Sequence, residues 1–357
     1  MPLRAPESAD LDMLRRGAEL LAVLLPKISA GVLSHAHVVA VISSAGRWSG
    51  VRSNSLFRIG GAVFLGNEAI RNPWVVAEYL LHESLHQKLY EFRHAHSLLK
   101  RDLNPTPDGT DPAQQPAVVV PWRPPGGNRA NEWDVFRALA AFHVYVHLAV
   151  LADAAETRAQ ELEDDYGCLH DAQPRMTSSR TATHRAHFLA DGIRRSCWEE
   201  LGQAGRLMVG WLNSVLRDFD PNPPPPGAEF HLLMDRYLDE ARRLETRTMS
   251  ARSQSRLRPL MADEIRHAQR ILATAGHRAG REKFDEAVTH LQQGEDKQRF
   301  CQARALIADS LRSLSPDGYV LRPAPGGSDE PGEALRNMID GSSEKLTAVV
   351  LADPRSS

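Results

Sequence analysis

Apolar stripes at helical spacing dominate the chain, with short strand-like runs confined to its first fifth. In residues 9–25 the apolar positions are broken by Asp12, Arg15, Arg16 and Glu19, which predicts an amphipathic helix ending near Pro26. Residues 37–43, His-Val-Val-Ala-Val-Ile-Ser, are β-branched and read as a strand. Ser55–Ile59, the pair Gly60-Gly61 and Ala62–Leu65 read as strand, turn and strand. A small N-terminal antiparallel sheet is therefore expected.

At Asn72 the period changes to that of a helix. Asn72 suits an N-cap and Pro73 the first helical position, while Val76, Leu80, Leu81, Leu85 and Leu89 recur at helical spacing, predicting a helix over 73–98. Residues 100–130 are irregular and proline-rich. Within them Val118-Val119-Val120 and Pro121-Trp122-Arg123 mark a part that docks, so the segment reads as a substrate-facing loop. Helices follow over 131–164 and 180–218, the latter containing Gly202 and Gly205, which allow close packing or a break. The run Pro221-Asn222-Pro223-Pro224-Pro225-Pro226-Gly227 is a stiff connector. Residues 228–246 and 260–313 are helical again; from Ser315 the chain is Pro-, Gly- and Asp-rich, with one short apolar stretch at Leu346–Leu351. The expected fold is mainly α (α+β), a helical bundle with a small sheet. Four regions are expected: 1–70, 71–220, the connector 221–227, and 228–357.

Composition adds exclusions. A chain of 357 residues can bury a large core. The net charge of -2 gives no electrostatic case for nucleic acid or an anionic membrane. Cys168, Cys197 and Cys301 form neither a disulfide framework nor a CxxC zinc pattern. With no signal-peptide pattern and no transmembrane-length apolar run, the expectation is a cytoplasmic protein; its oligomeric state is not readable.

Chemistry enters with the pentad His82-Glu83-Ser84-Leu85-His86. On a helix the two imidazoles fall four residues apart on one face, able to share a metal ion, with Glu83 beside them. Pairing helix 73–98 antiparallel with helix 131–164, at about 1.5 Å per residue, sets His143 and His147 opposite His82 and His86. Either is a candidate third ligand; His184 and His187 are further candidates. His94 and His96 read as helix-end residues facing the dipole, and Tyr145 as a packing residue. A zinc peptidase would use Glu83 as general base, but Lys88, Leu89 and Phe92 depart from peptidase patterns. Glu132, Glu156 and Glu161 are candidate carboxylate ligands under that reading.

The stretches Gly61–Leu65 and Ala77-Glu78-Tyr79-Leu80-Leu81-His82-Glu83-Ser84-Leu85-His86-Gln87-Lys88-Leu89, followed by Pro121-Trp122-Arg123 and Ala140-Ala141-Phe142-His143-Val144-Tyr145-Val146-His147, resemble the HEXXH-motif peptide-modification family. The resemblance covers roughly residues 35–215. It departs after Arg123, where Pro124-Pro125-Gly126-Gly127-Asn128-Arg129 replaces a compact Arg-Pro loop. It implies an iron(II)- and 2-oxoglutarate-dependent β-hydroxylase acting on a ribosomally made precursor peptide. Glu83 is then a carboxylate orienting a ligand, or itself a ligand. The distal carboxylate of 2-oxoglutarate needs a cation, for which Arg185, Arg123 and Arg137 are candidates. Two alternatives stay open: a zinc-dependent peptidase or amide hydrolase, and a non-catalytic helical binding protein.

Overall fold

The computed structural model describes residues 3–43, 52–95, 97–100, 116–126, 130–245, 247–274, 296–315, 317–321 and 331–353, without the side chains of His94, Ala95 and Asp296. The architecture is mainly α with a small sheet, as the periodicity predicts. The strands are β1 (Leu3–Arg4), β2 (Val38–Ile42), β3 (Ser53–Ser55), β4 (Ala62–Gly66), β5 (Ala117–Val119) and β6 (Glu132–Asp134). The helices are α1 (Ser8–Leu24), α2 (Pro26–Leu33), α3 (Pro73–Ala95), α4 (Val135–Tyr166), α5 (Leu169–Ala172), α6 (Ser179–Gly192), α7 (Gln203–Phe219), α8 (Phe230–Glu245), α9 (Ala251–Ser255), α10 (Leu257–Thr274), α11 (Asp296–Arg312) and α12 (Pro331–Leu351).

The chain divides into two units, one of Met1–Val118 with Asp134–Pro223, the other of Val119–Trp133 with Pro224–Ser357. In the first, the sheet order is β1-β2-β4-β3. The expected antiparallel sheet is mixed: β2 and β4 run parallel, while β1 and β3 pair antiparallel on the outside. The reason lies in β4, whose five residues are all buried. A strand apolar on both faces takes a central position and accepts a parallel neighbour, which the long excursion between β2 and β4 permits.

Helix α1 ends at Leu24, next to Pro26 as expected, and Pro26 then opens α2 at its first turn. The helix expected over 180–218 is two. After α6 come a π turn at Ile193–Cys197 and a short 3₁₀ turn, and α7 starts past Gly202. Here the chain packs backbone against backbone. A Cβ on Gly202 would lie 2.1 Å from the Ser97 carbonyl oxygen, and one on Gly205 2.2 Å from that of Leu98.

One apolar core joins α1, α2, the sheet, α3 and α4 through Leu20, Leu21, Val63, Leu65, Trp74, Leu81, Leu85, Val144, Leu148 and Leu151. Helix α4 is the one described helix long and apolar enough to cross a membrane, and 72% of its apolar window is buried inside the protein, as befits a core helix. Helices α3 and α4 are antiparallel. Trp74 at the start of α3 donates its indole N–H to the Gly167 carbonyl beyond the end of α4, at 2.8 Å. Near the other end Tyr90 stacks on Phe136, with centroids 6.1 Å apart.

The second unit is built on Phe230, Leu233, Tyr237, Leu257, Ile265, Phe300, Ile307, Leu335 and Ile339. The apolar stretch Leu346–Leu351 is the last part of α12, a full helix rather than an isolated run. Fully buried Arg304 pairs with Glu264 and Glu240 and donates to the Tyr237 carbonyl and the Ser342 hydroxyl, which satisfies a charge that burial alone would make very costly. Val120 and Trp122 of the proline-rich segment are buried, so part of it docks as expected; residues 101–115 and 127–129 lie outside the described residues.

Candidate metal centre

The α3 helix is set in place before any site chemistry is considered. The Asn72 side chain caps it by accepting from the Trp74 amide at 2.9 Å. Gln87, fully buried, clamps it to the sheet: its side chain accepts from Gly61 N–H and donates to the Ala62 carbonyl, each at 2.9 Å. Gly61 has φ +74, and the His37 ring fills the space a side chain would need. At the helix start, buried Glu78 accepts from both the amide and the hydroxyl of Thr177, next to the Ser178 cap of α6.

With the helix held this way, His82, Glu83 and His86 converge. One ligand atom from each lies within 4.8 Å of the others; among the described residues this is the single such group. The two Nε2 atoms are 3.2 Å apart and the rings meet at 66°. Two nitrogens at about 2.0–2.1 Å from one tetrahedral ion would be roughly 3.3 Å apart. Without a metal, one Nε2–H can donate to the unprotonated Nε2 of the other ring; with a metal, both unprotonated nitrogens face the ion.

Electrostatics favour the ligand forms. Burial pulls His82 down to about 4, and burial with the neighbouring His82 pulls His86 to about 4, Glu83 opposing. Both rings are neutral near pH 7, the form a metal binds. Glu83 is buried beside the two neutral rings. Burying a carboxylate is costly, and an ion held between it and the two Nε2 atoms would offset that cost. The donor set therefore fits a divalent metal.

His143 and His147 lie on α4 in the antiparallel register expected. Their rings are 4.6 Å apart, and His147 Nδ1 lies 2.8 Å from the His143 carbonyl, leaving Nε2 for another partner. His143 is lowered well below its ordinary value by burial first and then by His147, His86 and Lys88. Neither His143 nor His147 belongs to the 4.8 Å group. On α6, His187 is 3.0 Å from Asp220, and His184 is buried; they too stand outside the group.

The three candidate arginines are dispersed. Arg185 donates to the Tyr145 hydroxyl at 3.1 Å and lies over its ring. Tyr145 packs against the apolar core as well. Arg137 is exposed on the first turn of α4, and Arg123 is exposed in the second unit. Glu161 is paired with Arg158 on the surface, and neither Glu132 nor Glu156 enters the metal group. The His94 side chain and His96 lie outside the described residues. Missed from sequence are Tyr90 and Arg93, farther along α3, with Phe57 and Phe136. Tyr90 follows His82 and His86 at the same four-residue step, a signal that was present.

A pH dependence follows. His82, His86, His143, His147, His184 and His187 are all held below the ordinary 6.5, mainly by burial. The stability linked to them is complete above 6.5 and lost as pH falls towards 4. Glu78 acts oppositely: burial raises it to about 7, so its contribution is complete below about 4.5 and lost as pH rises through 7. The histidines prevail by number. The melting temperature of the metal-free protein is expected to fall between pH 6.5 and 4, and more steeply in Glu78→Gln; a level or rising profile would contradict this. No family model and no curated protein matches this chain.

Proposed function

We propose that this chain is an iron(II)- and 2-oxoglutarate-dependent hydroxylase acting on a side-chain carbon, Cβ by the resemblance, of a ribosomally made peptide. The observation that carries the reading is the composition of the cluster: two imidazoles and one carboxylate within 4.8 Å. Two histidines and a carboxylate on one face are what a non-haem iron(II) oxygenase uses, leaving open positions for cosubstrate and dioxygen. A zinc hydrolase that keeps Glu83 as base needs a third protein ligand, and no other described histidine, cysteine or acid joins the group.

In this reading His82 and His86 bind the metal through Nε2, and Glu83 supplies the carboxylate. Iron(II) bound there supplies the reducing centre at which dioxygen, 2-oxoglutarate and a C–H bond give succinate, carbon dioxide and an alcohol. The chain's own residues do the rest. Leu81, Leu85 and Leu89 anchor the helix in the core; Gln87 fixes its position against the sheet. His143, lowered in part by the neighbouring His86, contributes a third neutral imidazole beside the site. The free thiols Cys197 and Cys301, both buried and pushed up to about 11 chiefly by burial, accord with a cytoplasmic protein.

The test is turnover. Iron-loaded protein incubated with 2-oxoglutarate and a candidate precursor peptide should release succinate and add one oxygen to the peptide. Zinc-dependent cleavage of the peptide without succinate would replace this reading by the hydrolase.

A further inference from the structure

Helix α7 buries one face and leaves another bare. Val209, Leu212 and Leu216 are buried, while Leu207 and Trp211, one turn apart, are 68% and 54% exposed. Gln203, Leu207, Gly210, Trp211 and Ser214 share about 100° of the helix circumference over about 16 Å of its length. All five are exposed and uncharged. The solvent face of a helix ordinarily carries charge, and an exposed apolar strip without it marks a contact surface.

Gly210 is an independent sign. It sits in the middle of α7, where glycine destabilises a helix relative to alanine. Nothing lies within 4 Å of where its Cβ would be, so no neighbour in the protein requires the missing side chain. At Gly202 and Gly205 the reverse holds, because the Ser97–Leu98 backbone fills that space. A glycine beside an exposed tryptophan leaves a flat strip of helix backbone that another chain can approach closely.

The strip is continuous with the surroundings of the metal centre. The Trp211 ring lies against that of His147, with centroids 6.2 Å apart and planes at 56°. His147 in turn meets His143 at 4.6 Å. His143 is near enough to the cluster that His86, after burial and His147, helps to lower it. Trp211 is thus the surface end of a row of rings that runs inward to the ligands of α3.

Area decides between occupants. A whole tryptophan offers about 250 Å², so the exposed parts of Trp211 and Leu207 together amount to roughly 250 Å². A stable dimer buries about 800 Å² on each partner. The strip is too small for a second copy of this chain. It matches one or two apolar side chains of an extended peptide, with tryptophan as the anchor.

We propose that Leu207, Gly210 and Trp211 form a docking strip for an uncharged, apolar segment of the substrate peptide, with Trp211 packing on one of its aromatic or aliphatic side chains. The identity of the occupant rests on the peptide hydroxylase reading.

The full-length protein is used both as isolated and loaded with iron(II), so that a binding result stands whichever metal the cluster holds. The probe is a fluorescein-labelled, uncharged octapeptide with a central phenylalanine-leucine pair; its counterpart has serine at both places. Binding is followed by fluorescence anisotropy. The parent is expected to prefer the apolar probe by about 10-fold or more. Trp211→Ala and Leu207→Ser bring that preference close to one. Gly210→Gln guards against misfolding: its side chain enters open space and replaces a helix-interior glycine, so it melts at or above the parental temperature while binding the apolar probe at least about 5-fold more weakly. Equal affinity of the parent for both probes, or variants that keep the parental preference, overturns the proposal. So does a parental dimer in sedimentation that Trp211→Ala dissolves, which assigns the strip to a second copy. Preference lost in the variants, alongside an iron-loaded parent that forms no succinate from 2-oxoglutarate, keeps the strip and removes the hydroxylase reading.

Discussion

Alanine at His82 or His86 is expected to cost the protein its metal, with affinity falling by at least about 100-fold. Loss of a residue that merely supports a ligand costs 10- to 100-fold, and these two are the ligands themselves. The stability signature is distinctive. Metal at about 100 times its dissociation constant stabilises the folded parent by about 2.7 kcal/mol, and that increment disappears from both variants. In the metal-free protein the change is much smaller. The lost packing around His86 is offset by removal of its buried Nδ1, which has no hydrogen-bond partner. Calorimetric titration and melting curves with and without metal measure both effects. If the histidines were only packing residues, the alanine variants would melt lower without metal and bind as much metal as the parent.

Glu83→Gln separates the roles left open for the carboxylate. The amide keeps size and shape but loses the charge. If Glu83 completes the ligand set, iron affinity falls by roughly 10- to 100-fold or more, and turnover falls with it. If Glu83 acts as a general base in hydrolysis, metal content stays at the parental level and only turnover is lost. The first outcome is expected, because Glu83 is buried and offers a carboxylate oxygen within 4.8 Å of both histidine nitrogens. Glu83→Asp, which withdraws the carboxylate by one methylene, should also weaken metal binding, so charge alone does not restore the site.

Much of the scaffold around this cluster is legible in the chain because short-range rules dictate it. Asn72 and Pro73 start α3 as capping chemistry requires, and equal rise per residue is enough to bring His143 towards His86 across an antiparallel pair. What escaped depends on contacts distant in sequence. The third helix breaks ahead of Gly202, where the Ser97–Leu98 backbone packs against Gly202 and, inside α7, against Gly205, a neighbour no local pattern names. The parallel pairing of β2 with β4 follows from burial of β4 on both faces, and its apolar run alone does not choose between parallel and antiparallel partners. Arg93 looks like an ordinary helix-surface cation until Phe57 and Phe136, from two other segments, close on it. Helix α12 was overlooked because Gly332, Gly341 and the Ser342-Ser343 pair dilute its propensity, although Leu335, Met338, Ile339, Leu346 and Val349 keep the helical period and are buried.

The cluster on α3 is proposed to bind iron(II) together with a 2-oxo acid. The most direct measurement is an anaerobic titration of the iron-loaded protein with 2-oxoglutarate, followed in the visible spectrum. A weak metal-to-ligand charge-transfer band is expected that saturates at one equivalent per chain and is absent from His82→Ala. Saturating iron with no band and no 2-oxoglutarate binding, alongside peptide cleavage by the zinc-loaded protein, would contradict it.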